Sequence, residues 1–208
     1  MDAKKLELIY EFDVEAGWTV YSGKRMDPFD IVDALHGTDS KVYLHDLDSR
    51  AKGRPQLDLV QDLSLEIGVW YDGGARVADN VIDPLVAGAE MVALDPAYMK
   101  NETEFDHIMK LTNNVCLDLL SEHEDRIPDY NGSVVAGRGL STLLGMGYRN
   151  FVIRKDELGA FDSIQFDGVA SVWIRDGEMP SNGAEWHRRT NVAGTVKGIG
   201  ELVIEDEG

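Results

Sequence analysis

The chain has little cysteine and no long hydrophobic run. Its one cysteine, Cys116, lies in an apolar stretch and is expected to be a buried, unreactive thiol, as is common in cytoplasmic proteins. No apolar run approaches the ~18 residues of a membrane-spanning helix. Residues 1–5 lead directly into strand-like sequence and do not resemble a signal peptide. These absences favour a cytoplasmic protein with no membrane partner.

Positive charge is also scarce. Twenty Lys and Arg residues stand against 38 Asp and Glu residues, giving a net charge of −18. Because nucleic-acid affinity comes mostly from Lys and Arg, direct binding of nucleic acid is excluded as a main function. The five histidines show no metal-ligand spacing, so neither a metal nor another cofactor is expected. A phosphorylated ligand would need local cations or backbone donors.

What the sequence does contain is an alternation of strand-like and helix-like segments. The pattern predicts helices at 28–35, 57–65, 80–87 and 104–111, and a short extra strand at 18–21. The main predicted strands are 6–13, 41–47, the start of 68–76, 90–94, 115–119, 150–155, 169–175 and 201–205. Strands alternating with helices indicate parallel βαβ units, and eight units that close on themselves form a (β/α)8 TIM barrel.

An internal repeat supports this α/β barrel. The segment 68–74 resembles 171–177, Asp13 has a counterpart in Asp118, 43–46 pairs with 152–155, and 88–94 resembles 198–204. The matches occur in the same order at similar offsets, which predicts one domain over 1–208 built from half-barrels of about 1–112 and 113–208.

The second half-barrel is predicted to be shortened. The segment between strands six and seven leaves room for only a stub of helix, and no final outer helix follows strand eight. Because barrel strands need cover on their outer face, we expect the flank near strands seven, eight and one to be covered by the Trp186 segment, by residues 133–147 or by another subunit. We predict a homodimer that hides part of this flank.

Several motifs resemble the HisA/HisF family, whose member HisA is phosphoribosylformimino-5-aminoimidazole carboxamide ribotide isomerase. The segment 42–60 is similar to the family's second strand and following loop, and 72–76, Asp-Gly-Gly-Ala-Arg, partly matches its glycine loop. Asp13 with Gly17, the Ala-Gly-Ala at 87–89 and the Leu-Asp at 117–118 match as well. The resemblance covers about residues 6–120 and implies a TIM barrel made of two half-barrels.

The resemblance also implies an activity. The family carries out an Amadori rearrangement, an aldose–ketose isomerisation that needs a general acid and a general base. Asp13 and Asp118 correspond to its acid/base pair. Its substrate is a sugar phosphate held on glycine loops, and the candidate ligands for such an anion here are Gly73, Gly74, Arg76, Arg154, Arg175 and Gly177.

Other residues depart from the family pattern. Asp72 replaces the first glycine of the loop after strand three, and Asp95-Pro96 replaces a Gly-Thr after strand four. A carboxylate at either place repels a phosphate, and proline offers no N–H. The predicted end of strand eight, at 205–206, is acidic and provides no glycine cradle. Arg154 and Arg175 therefore indicate either a different anion site or an ion-pair network that plugs the barrel mouth.

Three functions remain open. The first is a HisA-related isomerase with an altered substrate, using Asp13 and Asp118. The second is a non-catalytic barrel that has lost its phosphate cradles and binds a ligand or partner. The third is a lyase or synthase that forms a Schiff base through Lys155 at the end of strand six.

Overall fold

The computed structural model describes residues 6–96, 98–119, 142–155, 170–175 and 191–202. In chain order its strands are β1 (Glu7–Glu15), β2 (Trp18–Tyr21), β3 (Lys24–Met26), β4 (Ser40–Asp46), β5 (Gly68–Asp72), β6 (Met91–Leu94), β7 (Val115–Leu119), β8 (Asn150–Arg154), β9 (Ser171–Arg175) and β10 (Asn191–Gly198). Its helices are α1 (Pro28–Leu35), α2 (Leu47–Lys52), α3 (Leu57–Ser64), α4 (Asp79–Val86) and α5 (Glu102–Leu111), and a 3-10 turn covers Ile199–Glu201.

Eight of these strands form a closed parallel barrel. Their order around the barrel is β1, β4, β5, β6, β7, β8, β9 and β10, and each neighbouring pair runs parallel. The barrel closes where β10 pairs with β1, from Glu7 opposite Gly194 to Glu11 opposite Gly198. The predicted α/β barrel is therefore confirmed. The β2–β3 hairpin is added to β1 in antiparallel fashion.

Local sequence signals account for several element boundaries. Helix α1 begins after Asp27, whose side chain accepts a hydrogen bond from the Phe29 N–H at 3.0 Å, and Pro28 occupies the first turn. Its residues Ile31, Val32 and Leu35 are buried in the outer core between helices and strands. Helix α2 was not predicted, because its six residues are too few to show a helical period.

A second core fills the barrel interior. Each of the eight strands contributes to it: Ile9, Tyr43, Trp70, Ala93, Cys116, Val152, Trp173, Ala193 and Val196. Trp70 and Trp173 meet edge to face with ring centroids 4.8 Å apart. Cys116 is fully buried, as predicted, and burial raises the pKa of its thiol well above the usual value.

The predicted position of strand eight, 201–205, is wrong. The eighth barrel strand is β10, and Ile199–Glu201 after it forms a 3-10 turn. Two glycines and a lysine weaken the strand signal of β10, whereas the apolar residues at 202–204 imitate one. The predicted repeat between 88–94 and 198–204 therefore does not align one barrel strand with another. Strand eight ends at Gly198, with Gly200 close behind, and not at the acidic residues 205–206.

Within the described ranges, every helix is too short or too polar to cross a bilayer.

The closure of the barrel predicts a sharp difference between two glycines of β10. A Cβ on Gly194 would overlap the Glu7 carbonyl oxygen and lie 2.9 Å from Cδ1 of Trp173, whereas one on Gly198 would meet nothing within 4 Å. Gly194→Ala should lower the free energy of unfolding by about 1–3 kcal/mol through overpacking. Gly198→Ala should change it by less than about 0.5 kcal/mol. Urea denaturation measures both, and equal effects would contradict the assigned register.

Candidate functional site

Charged side chains gather at the carboxyl ends of the barrel strands, the end at which barrel active sites lie. At the centre of this mouth, Arg175 and Asp118 form a bidentate ion pair with N–O distances of 2.6 and 2.7 Å. The Tyr43 hydroxyl donates to the same carboxylate at 2.5 Å. The side chains of Arg175 and Asp118 are 5% and 1% exposed, so the pair is almost completely removed from water.

A chain of contacts continues from this pair across the mouth. Glu11 accepts a hydrogen bond from Nε of Arg175 at 2.8 Å and lies 3.2 Å from Nε2 of His45. Nδ1 of His45 is in turn 3.2 Å from Asp72, whose carboxylate lies 3.3 Å from Arg50. We call these six residues the mouth network: Asp118, Arg175, Glu11, His45, Asp72 and Arg50.

The charges in the mouth network are mutually stabilised. Burial by itself lowers the pKa of His45, but its contacts with Asp72 and Glu11 outweigh burial and raise the pKa to about 9. Burial raises the pKa of the Asp72 carboxyl, and the nearby His45 and Arg50 more than reverse this, so the net direction is downward. His45 is therefore a cation at neutral pH, since both of its ring nitrogens face carboxylate oxygens.

A cavity of about 380 Å³ opens above the mouth network, and we call it the mouth cavity. Asp13 lies in it, exposed to solvent and directly opposite His45 in the β1–β4 register. Charged residues form much of its wall: Glu11, Asp13, His45, Arg50, Arg154 and Arg175. Val20 and Tyr21 of the β2–β3 hairpin border it from one side, and Gly198 and Ile199 lie at the end of β10.

A second cavity of about 370 Å³ lies beside the loop that follows β5, and we call it the glycine-loop cavity. Gly73, Gly74 and Arg76 line it together with Lys52. Arg50 lines both this cavity and the mouth cavity, so one residue borders both spaces.

Packing explains the glycines of this loop. A Cβ on Gly73 would lie 2.6 Å from the Tyr71 ring and 2.7 Å from the Ser49 hydroxyl oxygen, and Gly74 has a φ of 66°. Asp72 accepts the Gly74 N–H at 3.0 Å, and the Arg76 N–H is donated to Asn80 at 3.2 Å. Both N–H groups are therefore used within the protein and are not directed at a ligand.

The structure divides the predicted site residues into two groups. Asp13, Arg154 and Arg175 line the mouth cavity, whereas Gly73, Gly74 and Arg76 line the glycine-loop cavity. Asp118 lies beneath the mouth and is bound by Arg175. Gly177 lies outside the described residues. The sequence left two interpretations of Arg154 and Arg175, a different anion site or an ion-pair network. The structure shows such a network for Arg175, which binds Asp118 and Glu11.

Sequence reasoning missed four residues of the mouth: Glu11, Tyr43, His45 and Arg50. The alternation of side chains along a strand held the signal for three of them. If Asp13 faces the mouth, then Glu11 two positions earlier faces the barrel as well, and the same spacing relates Tyr43 to His45. Arg50 carried no such signal because it lies on the unpredicted helix α2.

The part of the chain that the structure describes contains no group of three His, Cys, Asp or Glu side chains that could hold a metal ion. In sequence comparisons, the chain matches no protein-family model and no curated protein. A proposal for the function therefore rests on the geometry of the barrel mouth and on the resemblance of the motifs to the HisA/HisF family.

The mouth network predicts a pH dependence of stability. The pKa of His45 in the folded state, about 9, lies above its ordinary value of 6.5. Its stabilising effect is therefore fully present below pH 6.5 and is lost as the pH rises to about 9, on the order of 3 kcal/mol in total. Denaturant unfolding across this range measures the loss. His45→Gln should flatten the profile, and an unchanged slope in this variant would assign the effect to other groups.

The two aspartates that sequence analysis paired should differ in their effect on stability. Asp118→Asn leaves Arg175 buried without its main counter-charge and should cost about 3 kcal/mol or more. Asp13→Asn changes an exposed side chain and should cost less than about 0.5 kcal/mol. Thermal and urea unfolding of both variants provide the comparison, and a stable Asp118→Asn protein would show that the ion pair is dispensable.

Proposed function

We propose that this chain is an aldose–ketose isomerase related to the HisA/HisF family that acts on a small anionic sugar derivative. The mouth cavity is the observation that carries the proposal. It brings the exposed carboxylate of Asp13 together with four cationic groups, His45, Arg50, Arg154 and Arg175, at the catalytic end of a barrel. Neither the small cavity nor the net charge of the chain suits a nucleic acid.

In this proposal Asp13 is the general base. An exposed carboxylate next to an open cavity can take the proton from C2 of an open-chain sugar and return it to C1. The negative charge that develops on the sugar oxygen or nitrogen is stabilised by fixed cations in the cavity wall, and these need little reorganisation during the reaction.

Asp118 receives a different role from the one that the resemblance implies. Its carboxylate is held by both terminal nitrogens of Arg175 and by the Tyr43 hydroxyl. These three hydrogen bonds occupy the carboxylate oxygens within the protein. We infer that Asp118 fixes Arg175 in the cavity wall. His45, the neighbour of Asp13 in the β1–β4 register, has both ring nitrogens on carboxylates, so it contributes positive charge to the cavity and not a proton.

The half-barrel repeat, with its shortened second half, belongs to the same proposal. Asp13 and Asp118 lie on the first and fifth barrel strands, and 68–72 and 171–175 form the third and seventh. This spacing of four strands supports two half-barrels of common origin, which is the architecture implied by the resemblance.

A non-catalytic, ligand-binding barrel is the second candidate function. The occupied N–H groups of the glycine loop and the tightly paired Asp118 favour it, because both remove features on which the family's reaction depends. A Schiff-base enzyme has less support, since Lys155 is exposed and does not line the mouth cavity.

Replacing Asp13 tests the proposed reaction. With the family's phosphorylated aminoaldose as substrate, Asp13→Asn should lower turnover by about 10²–10⁴-fold, the usual contribution of a positioned general base. Asp58→Asn, at an exposed site on α3, removes the same charge away from the mouth and should retain full activity. Product formation is followed by NMR or absorbance.

Full turnover in Asp13→Asn would contradict the role of this residue. Ligand binding without any turnover in the unaltered protein would instead favour the non-catalytic candidate.

A further inference from the structure

We propose that Arg50 is the anion anchor of this site and that its guanidinium group holds a phosphate or carboxylate of the ligand in place of the glycine-loop amides. The inference rests on the proposed function in one respect, that the mouth accepts an anionic ligand. It identifies a binding residue that neither the sequence motifs nor the resemblance indicated.

Arg50 is firmly placed between the two cavities. It belongs to α2, whose start is fixed by the fully buried Asp46. The Asp46 carboxylate accepts hydrogen bonds from the Ser49 N–H at 2.9 Å, the Gln56 N–H at 2.7 Å and the Tyr71 hydroxyl at 2.8 Å. A helix held in this way presents its arginine at a defined point of the wall.

Two backbone N–H groups of the glycine loop are not available for the same task. An anion at this loop would depend on N–H groups, but Asp72 takes that of Gly74 and Asn80 takes that of Arg76. Asp72 adds a negative charge to the loop. An anion at this loop therefore lacks two backbone donors and depends more strongly on side chains.

Among these side chains, several cations are already committed. Arg175 is 5% exposed and binds both Asp118 and Glu11. Both nitrogens of His45 face carboxylates, and Lys52 is paired with Asp48 at 2.6 Å. Arg154 lines only the mouth cavity and Arg76 only the glycine-loop cavity.

The contacts of Arg50 itself leave it able to bind. Its side chain is 25% exposed, and its ion pair with Asp72 uses Nη2 at 3.3 Å, a long contact. Its guanidinium carbon lies over the Tyr98 ring, 5.5 Å from the ring centre. A guanidinium group can bind two oxygens of a phosphate or carboxylate at once.

Asp72 remains compensated when Arg50 turns to a ligand. Its carboxylate keeps the contact with His45 at 3.2 Å and the hydrogen bond from Gly74 at 3.0 Å. The movement therefore does not leave a buried carboxylate unpaired, which would be costly. Because Asp72 stays nearby, the site favours one anionic group of low charge over a cluster of phosphates.

Titration with inorganic phosphate, and separately with acetate, tests the proposal without any substrate. Heat of binding and amide NMR shifts at 73–76 provide the readout. Arg50→Ala should weaken phosphate binding by about tenfold or more, the usual size of a lost charge-assisted contact. Arg50→Lys keeps the charge but loses the bidentate fork, and should weaken binding by about three- to tenfold.

Lys52→Ala is the matched control. It removes the same charge from the same helix and the same cavity, and should change binding by less than about twofold because Lys52 is an exposed partner of Asp48. Acetate binding that depends on Arg50 as strongly as phosphate binding would show that the anchor accepts a carboxylate as well as a phosphate, in support of the proposal. Far-UV circular dichroism and the unfolding midpoint of each variant confirm that it is folded.

Equal losses in Arg50→Ala and Lys52→Ala would overturn the proposal, as would the absence of phosphate and acetate binding at millimolar concentrations. The proposed isomerase fails on a different result, the absence of turnover. Anion binding through Arg50 without turnover would support the anion anchor and contradict the isomerase. Turnover that depends on Asp13, together with unaltered anion binding in Arg50→Ala, would support the isomerase and contradict the anchor.

Discussion

The buried ion pair between Arg175 and Asp118 is the interaction on which the barrel mouth depends. Two charges removed from water carry a large desolvation cost, which they recover only through good geometry and further partners. Here Tyr43 and Glu11 supply those partners, and the Arg175 guanidinium lies 5.4 Å from the centre of the Tyr43 ring. From this pair, negative and positive groups alternate through Glu11, His45 and Asp72 to Arg50. No two like charges are adjacent in the chain of contacts, so an acidic protein can hold six ionisable groups in the mouth of its barrel.

Much of the barrel could be predicted from sequence because its signals are local. The runs of strand-forming residues in β4 and β7, the proline and cap of α1 and the glycine after β5 each act over a few residues. Strand β10 was missed because Gly194 is needed for close packing at the seam with β1, and this tertiary demand weakens the local strand pattern.

The candidate site was harder to predict for the same reason. Arg175 meets residues 57 and 164 positions away, and no spacing along the chain records such contacts. Asp118 was correctly placed on a strand that reaches the mouth, but its surroundings depend on which residues the neighbouring strands bring to it. The resemblance of the motifs indicated the positions of Asp13 and Asp118 but not the residues that contact them. Tyr43 and Arg175 decide whether the Asp118 carboxylate is available for proton transfer.

The place of Arg50 in the wall shared by both cavities has a consequence for the shape of the ligands that fit. If Arg50 anchors the ligand as proposed, a molecule that extends into both cavities is held near its middle, and its two ends lie in separate cavities. Most of its affinity then comes from the central anionic group, and the ends are free to vary in length and chemistry. Recognition organised in this way tolerates a series of related compounds, in contrast to a pair of distant cradles that fixes the distance between two charged ends.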